Sequence, residues 1–143
     1  MKFSSRKDYL FTSIIMAMCL LLVSIIGFTV VNSKSINSVL FPIIITFLVL
    51  VFLIWIFLDT NYEISKTHVK YFSGPIRGKI EVNKIRKIIS GKTLWVGLKP
   101  ATAKHGLILK YNKFDEIYIS PETNEKFISE ILKINPDIEI IKH

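Results

Sequence analysis

Between Asp8 and Asp59 the chain carries one acidic or basic side chain, Lys34. The apolar runs on either side of it, about Leu10 to Val31 and Val39 to Leu58, constrain the fold more than any other feature. A soluble domain of this size has no core that could hide both. Runs of about 20 apolar residues match the roughly 30 Å hydrocarbon core of a bilayer. A short basic head, Met1 to Asp8 with Lys2, Arg6 and Lys7, precedes the first run. Basic heads also open signal peptides, but this run is too long for one and no small-x-small cleavage site ends it, so a retained span is expected. The second run is dense in β-branched and aromatic residues, from Ile43 to Phe57. Lipid still favours a helix there, because every backbone polar group must be satisfied internally. Pro42 is expected in the first turn of that helix, where a missing N–H matters little.

The link Asn32-Ser33-Lys34-Ser35-Ile36-Asn37-Ser38 is short and polar, so the spans are expected to form an antiparallel hairpin with both ends on one side. Lys2, Arg6 and Lys7 before the hairpin, and Lys66, Lys70 and Arg77 after it, outnumber Lys34 in the link. The excess of positive charge predicts a multi-pass protein of the cell membrane with both termini and the following domain cytoplasmic. Trp55 and Tyr9 suit the aromatic belt at the interface.

About 85 residues remain, enough for one small domain. The division expected is a hairpin over 1–60 and a domain over 61–143. From Asn61 onward the hydrophobic period changes to two. Tyr62–Ser65 and His68–Tyr71 read as a hairpin, and Ile76–Val82, Ile85–Ile89, Leu94–Leu98, Leu107–Tyr111 and Phe114–Ile119 read as further strands. If Leu94–Leu98 is a strand, Trp95 points away from Leu94, Val96 and Leu98, with core or edge packing as its expected role and a contact with lipid, a partner or a second small core as the alternative. The period then turns helical: Ser120 is the expected N-cap, Pro121 the first helical residue, and Phe127, Ile131 and Ile134 form the buried stripe. Asn135-Pro136 closes that helix, and Ile138 to Ile141 is expected to be extended. The fold class is α+β.

The residues Tyr62-x-Ile64, Val69-x-Tyr71, Gly74-Pro75-Ile76-Arg77-x-x-Ile80, Lys84-Ile85-x-x-Ile88, Leu107-x-Leu109-x-Tyr111 and Ile119-Ser120-Pro121, followed by Phe127-Ile128, resemble the bacterial pleckstrin-homology-like (PH-like) domains of the YyaB-like family. The resemblance implies a strongly bent sheet or partial barrel closed at one end by a C-terminal helix, which the serine-proline pair opens. It implies a binding or scaffolding module and no enzyme activity. Family members often carry a short polar stretch before the sixth strand, and Ala101-Thr102-Ala103-Lys104-His105 matches it loosely. The layout, an apolar N-terminal part and then such a domain, is similar to that of the sublancin immunity protein, which makes immunity to a peptide bacteriocin a functional expectation.

No residue set points to catalysis, a cofactor or a metal. His68, His105 and His143 lack a second ligand at zinc-like spacing. Asp115 and Glu116, adjacent on an expected strand, face opposite ways and make poor acid–base partners. Cys19, inside the first run, has no second cysteine to pair with. Charge is the remaining signal. Arg77, Lys79, Lys84, Arg86, Lys87 and Lys92, with Lys99 and Lys104 beyond them, stand against Glu81 alone between Gly74 and Lys104, and the balance reverses after Phe114. A domain tethered at a cytoplasmic leaflet meets a negative surface that attracts each nearby cation by about 1 kcal/mol. The six residues from Arg77 to Lys92 are therefore candidate contacts for anionic lipid head groups or a partner; the alternative is a solvated face balanced by the acidic end. The partners expected are the lipid bilayer with its anionic head groups, a membrane protein or a peptide antibiotic. Nucleic acid is not expected, given the anchor and the lack of clustered aromatics.

Overall fold

The computed structural model describes residues 1–33 and 35–143. Lys34, the charge expected in the link, lies outside the described residues. Helix α1 runs over Tyr9–Asn32 and α2 over Ile36–Leu58. At about 1.5 Å per residue, each is longer than the hydrocarbon core is thick. Both are apolar enough to cross a membrane, no residue of α1 is buried, and large apolar side chains such as Phe28 and Phe41 are bare on their outer faces. Their hydroxyls are hidden locally: Ser13, Ser24, Thr29 and Thr46 each donate to the carbonyl one turn earlier. Such a surface suits lipid and points to membrane association. Because α2 begins at Ile36, Pro42 sits inside the helix rather than in its first turn.

The domain contains two four-stranded sheets. The first has the order β1 (Lys2–Ser4), β2 (Asn61–Ile64), β3 (His68–Ser73), β4 (Ile76–Glu81), all antiparallel. A 3-10 turn over Val82–Lys84 leads into the second sheet, of order β7 (Asp115–Ile119), β6 (Leu107–Tyr111), β5 (Ile85–Ser90), β8 (Glu139–Lys142), with β8 parallel to β5. Helix α3, Asn124–Leu132, buries Phe127, Ile128 and Ile131 against the core the sheets share. That core includes Tyr62, Val69, Ile80, Ile88, Leu109 and Ile117. The class is α+β, as the change of period implies.

Four local expectations are corrected. The head is more than a lead into the first span: Lys2–Ser4 pairs with β2, with Phe3 opposite Tyr62, and Phe3 is buried edge-to-face on Phe127 at 5.2 Å between centroids. The domain's first sheet thus draws on residues from both sides of the helical hairpin. Ser120 does not cap α3. Pro121 bridges to Ser5 and the Glu122 N–H donates to Ser4 O at 3.0 Å, so the chain stays extended and the helix starts three residues later, after Thr123. Leu94–Leu98 is not a strand; only Leu98 bridges to Ile117, and Gly97 turns the chain at φ +107°. Trp95, expected to pack, is 63% exposed on that loop.

The strands give the domain two ends. At one, β2 begins directly after α2 and β7 finishes beside the head; this near end adjoins the hairpin. The far end holds the β2–β3 and β6–β7 turns and the 3-10 turn.

Candidate functional site

A buried polar knot closes the near end. Ser5 Oγ lies 3.1 Å from Tyr62 OH, 2.8 Å from Thr102 Oγ1 and 2.9 Å from Ser120 Oγ. Tyr62 OH donates to Pro100 O at 2.6 Å and accepts from the Ser120 N–H at 3.0 Å. Thr102 Oγ1 donates to Arg6 O at 2.8 Å, and the Thr102 N–H to Ser120 Oγ at 3.0 Å. One proton arrangement satisfies every hydroxyl: Ser120 donates to Ser5, Ser5 to Thr102, Thr102 to Arg6 O and Tyr62 to Pro100 O. The knot therefore joins the head, β2, the loop before β6 and the end of β7. Its members include Ser120 and Thr102, from the serine-proline pair and from the loosely matched polar stretch.

A second buried phenol holds the same loop. Tyr118 OH donates to Ala103 O at 2.8 Å and accepts from the Gly106 N–H at 2.9 Å. Burial pushes both phenols above their usual pKa, against the opposing pull of the hydrogen bonds from the Ser120 N–H on Tyr62 and from Gly106 and Thr93 on Tyr118. They stay protonated donors at neutral pH. The knot is sealed from solvent and its hydroxyls are already engaged with one another, an arrangement that positions chain rather than presents a nucleophile.

The knot reaches the helical hairpin through Asp8. One carboxylate oxygen caps α1 by accepting the Phe11 N–H at 2.9 Å, and the other accepts the Lys104 N–H at 2.7 Å. The Arg6 guanidinium donates to the carbonyls of Lys104 and His105. On the other side, Arg77 pairs with Asp59 at 3.7 Å, Lys7 lies 5.0 Å over the Phe57 ring, and Gly74 (φ +57°) brings the β3–β4 turn against Ile56 of α2.

The six basic candidates do not form one patch. Arg77 and Lys92 lie at the near end and Lys79 midway along β4, opposite Lys70. Lys84 is at the far end, paired with Glu81 at 2.9 Å, a contact that lowers the Glu81 pKa. Lys87 pairs with Glu139 at 3.0 Å across β5 and β8. Arg86, at the far end, donates to Lys113 O at 2.6 Å. Lys7, Lys99 and Lys104, outside the six candidates, also lie at the near end: Lys7 just precedes α1, and the knot with Asp8 brings the segment of Lys99 and Lys104 beside it.

The far end carries a cleft of about 890 Å³ between the β2–β3 turn, the 3-10 turn and the segment after α3. Lys66, His68 and Arg86 line it together with Glu81, Asp137 and the apolar Val82 and Ile134. Arg86 also joins this cleft to Phe114, which is 85% exposed on the β6–β7 turn next to the Lys113 carbonyl that Arg86 holds. Mixed charge in an open cleft, with a bare aromatic beside it, is the kind of surface on which interfaces are built.

A two-sheet domain with one packing helix, fixed to the mouth of an apolar hairpin and offering open surfaces at both ends, is the architecture of a tethered binding module. Residues 60–135 match the family model described as bacterial PH domain, and the chain belongs to that family. No curated protein matches the chain, and neither does any solved structure.

Proposed function

We propose that this protein acts by binding rather than by catalysis, as a two-span protein of the cell membrane whose domain and termini face the cytoplasm. The pairing of β1 with β2 supports a shared side for the termini, and the lysine and arginine excess supports the cytoplasmic one. The observation that carries the binding reading is the far-end surface, the cleft and Phe114 joined by Arg86, at the end of the domain opposite the helical hairpin. The role proposed is immunity to a peptide bacteriocin, which the YyaB-like resemblance and the shared layout with the sublancin immunity protein favour. The second reading, a lipid-docking scaffold or an accessory subunit of a membrane transporter or enzyme complex, is favoured by the near-end cations Arg77, Lys92 and Lys7.

Deleting the gene and challenging cells with a broad panel of peptide antibiotics tests the first reading. A several-fold gain in sensitivity to one peptide, reversed by the wild-type gene and not by a Phe114→Ala, Arg86→Glu variant, supports it. Unchanged sensitivity across the panel removes it. Stable co-purification with a transporter or membrane enzyme would favour the second.

A further inference from the structure

The loop between β5 and β6 carries the most exposed apolar cluster outside the helical hairpin that also adjoins it. Trp95 is 63% exposed, Val96 82% and Leu98 39%, and exposed Lys92 and Lys99 bracket them. Lys99 lies over the Trp95 ring and donates to the Trp95 carbonyl at 3.0 Å, so the ammonium and the indole are presented together. Left in water, such a cluster is a liability.

Both stems of this loop are fixed at the start of α1. On the incoming side Thr93 Oγ1 accepts the His105 N–H at 3.0 Å, and the neighbouring Lys104 N–H is held by Asp8 at 2.7 Å. On the outgoing side Thr102 O accepts the Asp8 N–H at 3.3 Å, and Pro100 O accepts from Tyr62. Asp8 is the last charged residue before α1, so in a bilayer it marks the head-group level. The tip is only a few residues from those two ties.

We propose that Trp95, Val96 and Leu98 form a third membrane contact, an interfacial wedge seated among the head groups and upper acyl carbons of the leaflet that α1 enters. Tryptophan favours that depth because its ring is apolar and its N–H keeps a polar partner. Lys92 and Lys99 carry their charge on flexible apolar stems and meet anionic head groups around the wedge. The wedge and the two spans then hold the domain at three points, which fixes its tilt and aims the far-end cleft away from the bilayer. This inference rests on the membrane-anchored reading.

Tryptophan fluorescence of the full chain separates the two, because Trp55 in α2 and Trp95 are the only tryptophans. Trp55→Phe and Trp95→Phe variants are each reconstituted in phosphatidylethanolamine–phosphatidylglycerol vesicles with bromine on upper or on deep acyl carbons. In the Trp55→Phe protein, Trp95 should be quenched more by the upper bromines than by the deep ones, and its quenching by aqueous iodide should be several-fold weaker than that of a free tryptophan analogue. Strong iodide quenching with no bromolipid quenching of Trp95 overturns the wedge. So does iodide protection that vanishes on diluting the protein within the bilayer, which would place a second copy on the loop. In the Trp95→Phe protein, bromolipid quenching of Trp55 reports the spans. If Trp55 is quenched and Trp95 is not, only the wedge fails; if neither is quenched, the membrane-anchored reading fails with it.

Discussion

One carboxylate, Asp8, accepts the Phe11 N–H at 2.9 Å and the Lys104 N–H at 2.7 Å, so the residue that caps the first long helix also holds the loop before β6. The chain that separates Asp8 from Lys104 includes the whole apolar hairpin and half of the domain. Both bonds have a charged acceptor, which makes them shorter and stronger than neutral ones. Orientation of the domain relative to the hairpin is thus a property of a few near-end groups.

Replacing Asp8 by alanine should loosen that junction by about 1 to 2 kcal/mol, or roughly a 5- to 30-fold change in an opening equilibrium. The Lys104 amide should exchange with deuterium faster by a factor of that order, while amides of β6 stay protected. Asn at this position retains one acceptor oxygen and should give a smaller effect. An unchanged Lys104 rate in the alanine variant would refute the tie.

Phe3 precedes the first span, yet it is a core residue. Phe3→Ala should destabilise the domain by about 3 kcal/mol or more, as large-to-small changes in cores do. A fragment beginning at Thr60 lacks β1 and Ser5 together and should melt well below the full chain, with recovery when a peptide of residues 1–8 is added. A fragment as stable as the whole domain would contradict the pairing of β1 with β2.

Tyr62→Phe should cost about 1 to 3 kcal/mol, because the Ser120 N–H and Pro100 O are left buried without their partner. The pH response has a definite sign. Burial raises the folded pKa of Tyr62, Tyr111 and Tyr118. Unfolded phenols ionise near pH 10. Above that pH the folded state keeps protons the unfolded state has lost, so stability is full below about pH 10 and falls as pH rises further. Chemical unfolding of the full chain in detergent across that range should show a decline that is shallower in Tyr62→Phe; a stability that rises above pH 10 would reverse the assignment.

Gly106→Ala should destabilise by about 1 to 3 kcal/mol. A methyl there would run into the backbone carbonyl of Ile119 and crowd Tyr118 OH. Thermal melting measures it, and a neutral change would mean that the near end is more loosely packed than described.

Phe114→Ala should change stability by less than about 0.5 kcal/mol, since the side chain touches little beyond Lys113. Its effect should fall on partner binding instead, read as loss of protection in the sensitivity assay at normal protein levels. Loss of the protein itself would move Phe114 from the binding surface to the fold.

The sequence by itself determined the two apolar helices, because an almost uncharged run has only lipid to face and lipid permits only satisfied backbones. It also determined six of the strands and, of the expected α3 stripe, Phe127 and Ile131, since periods of two and of about 3.6 are local properties readable residue by residue. Ile134, expected on that stripe, lies past the end of the helix at Leu132 and is exposed. Phe3 as a core residue, Ser120 as a knot member rather than a helix cap, and Trp95 as an exposed loop residue were decided only by tertiary structure. Each depends on a partner distant in the chain: Tyr62 and Phe127 for Phe3, Ser5 and Thr102 for Ser120, and Ile117 for the loop that carries Trp95. Local pattern cannot register a contact whose free energy arises only when those segments meet, and the same holds for the charges. The run from Arg77 to Lys92 is continuous along the chain, but antiparallel strands carry successive lysines and arginines to opposite ends of the domain.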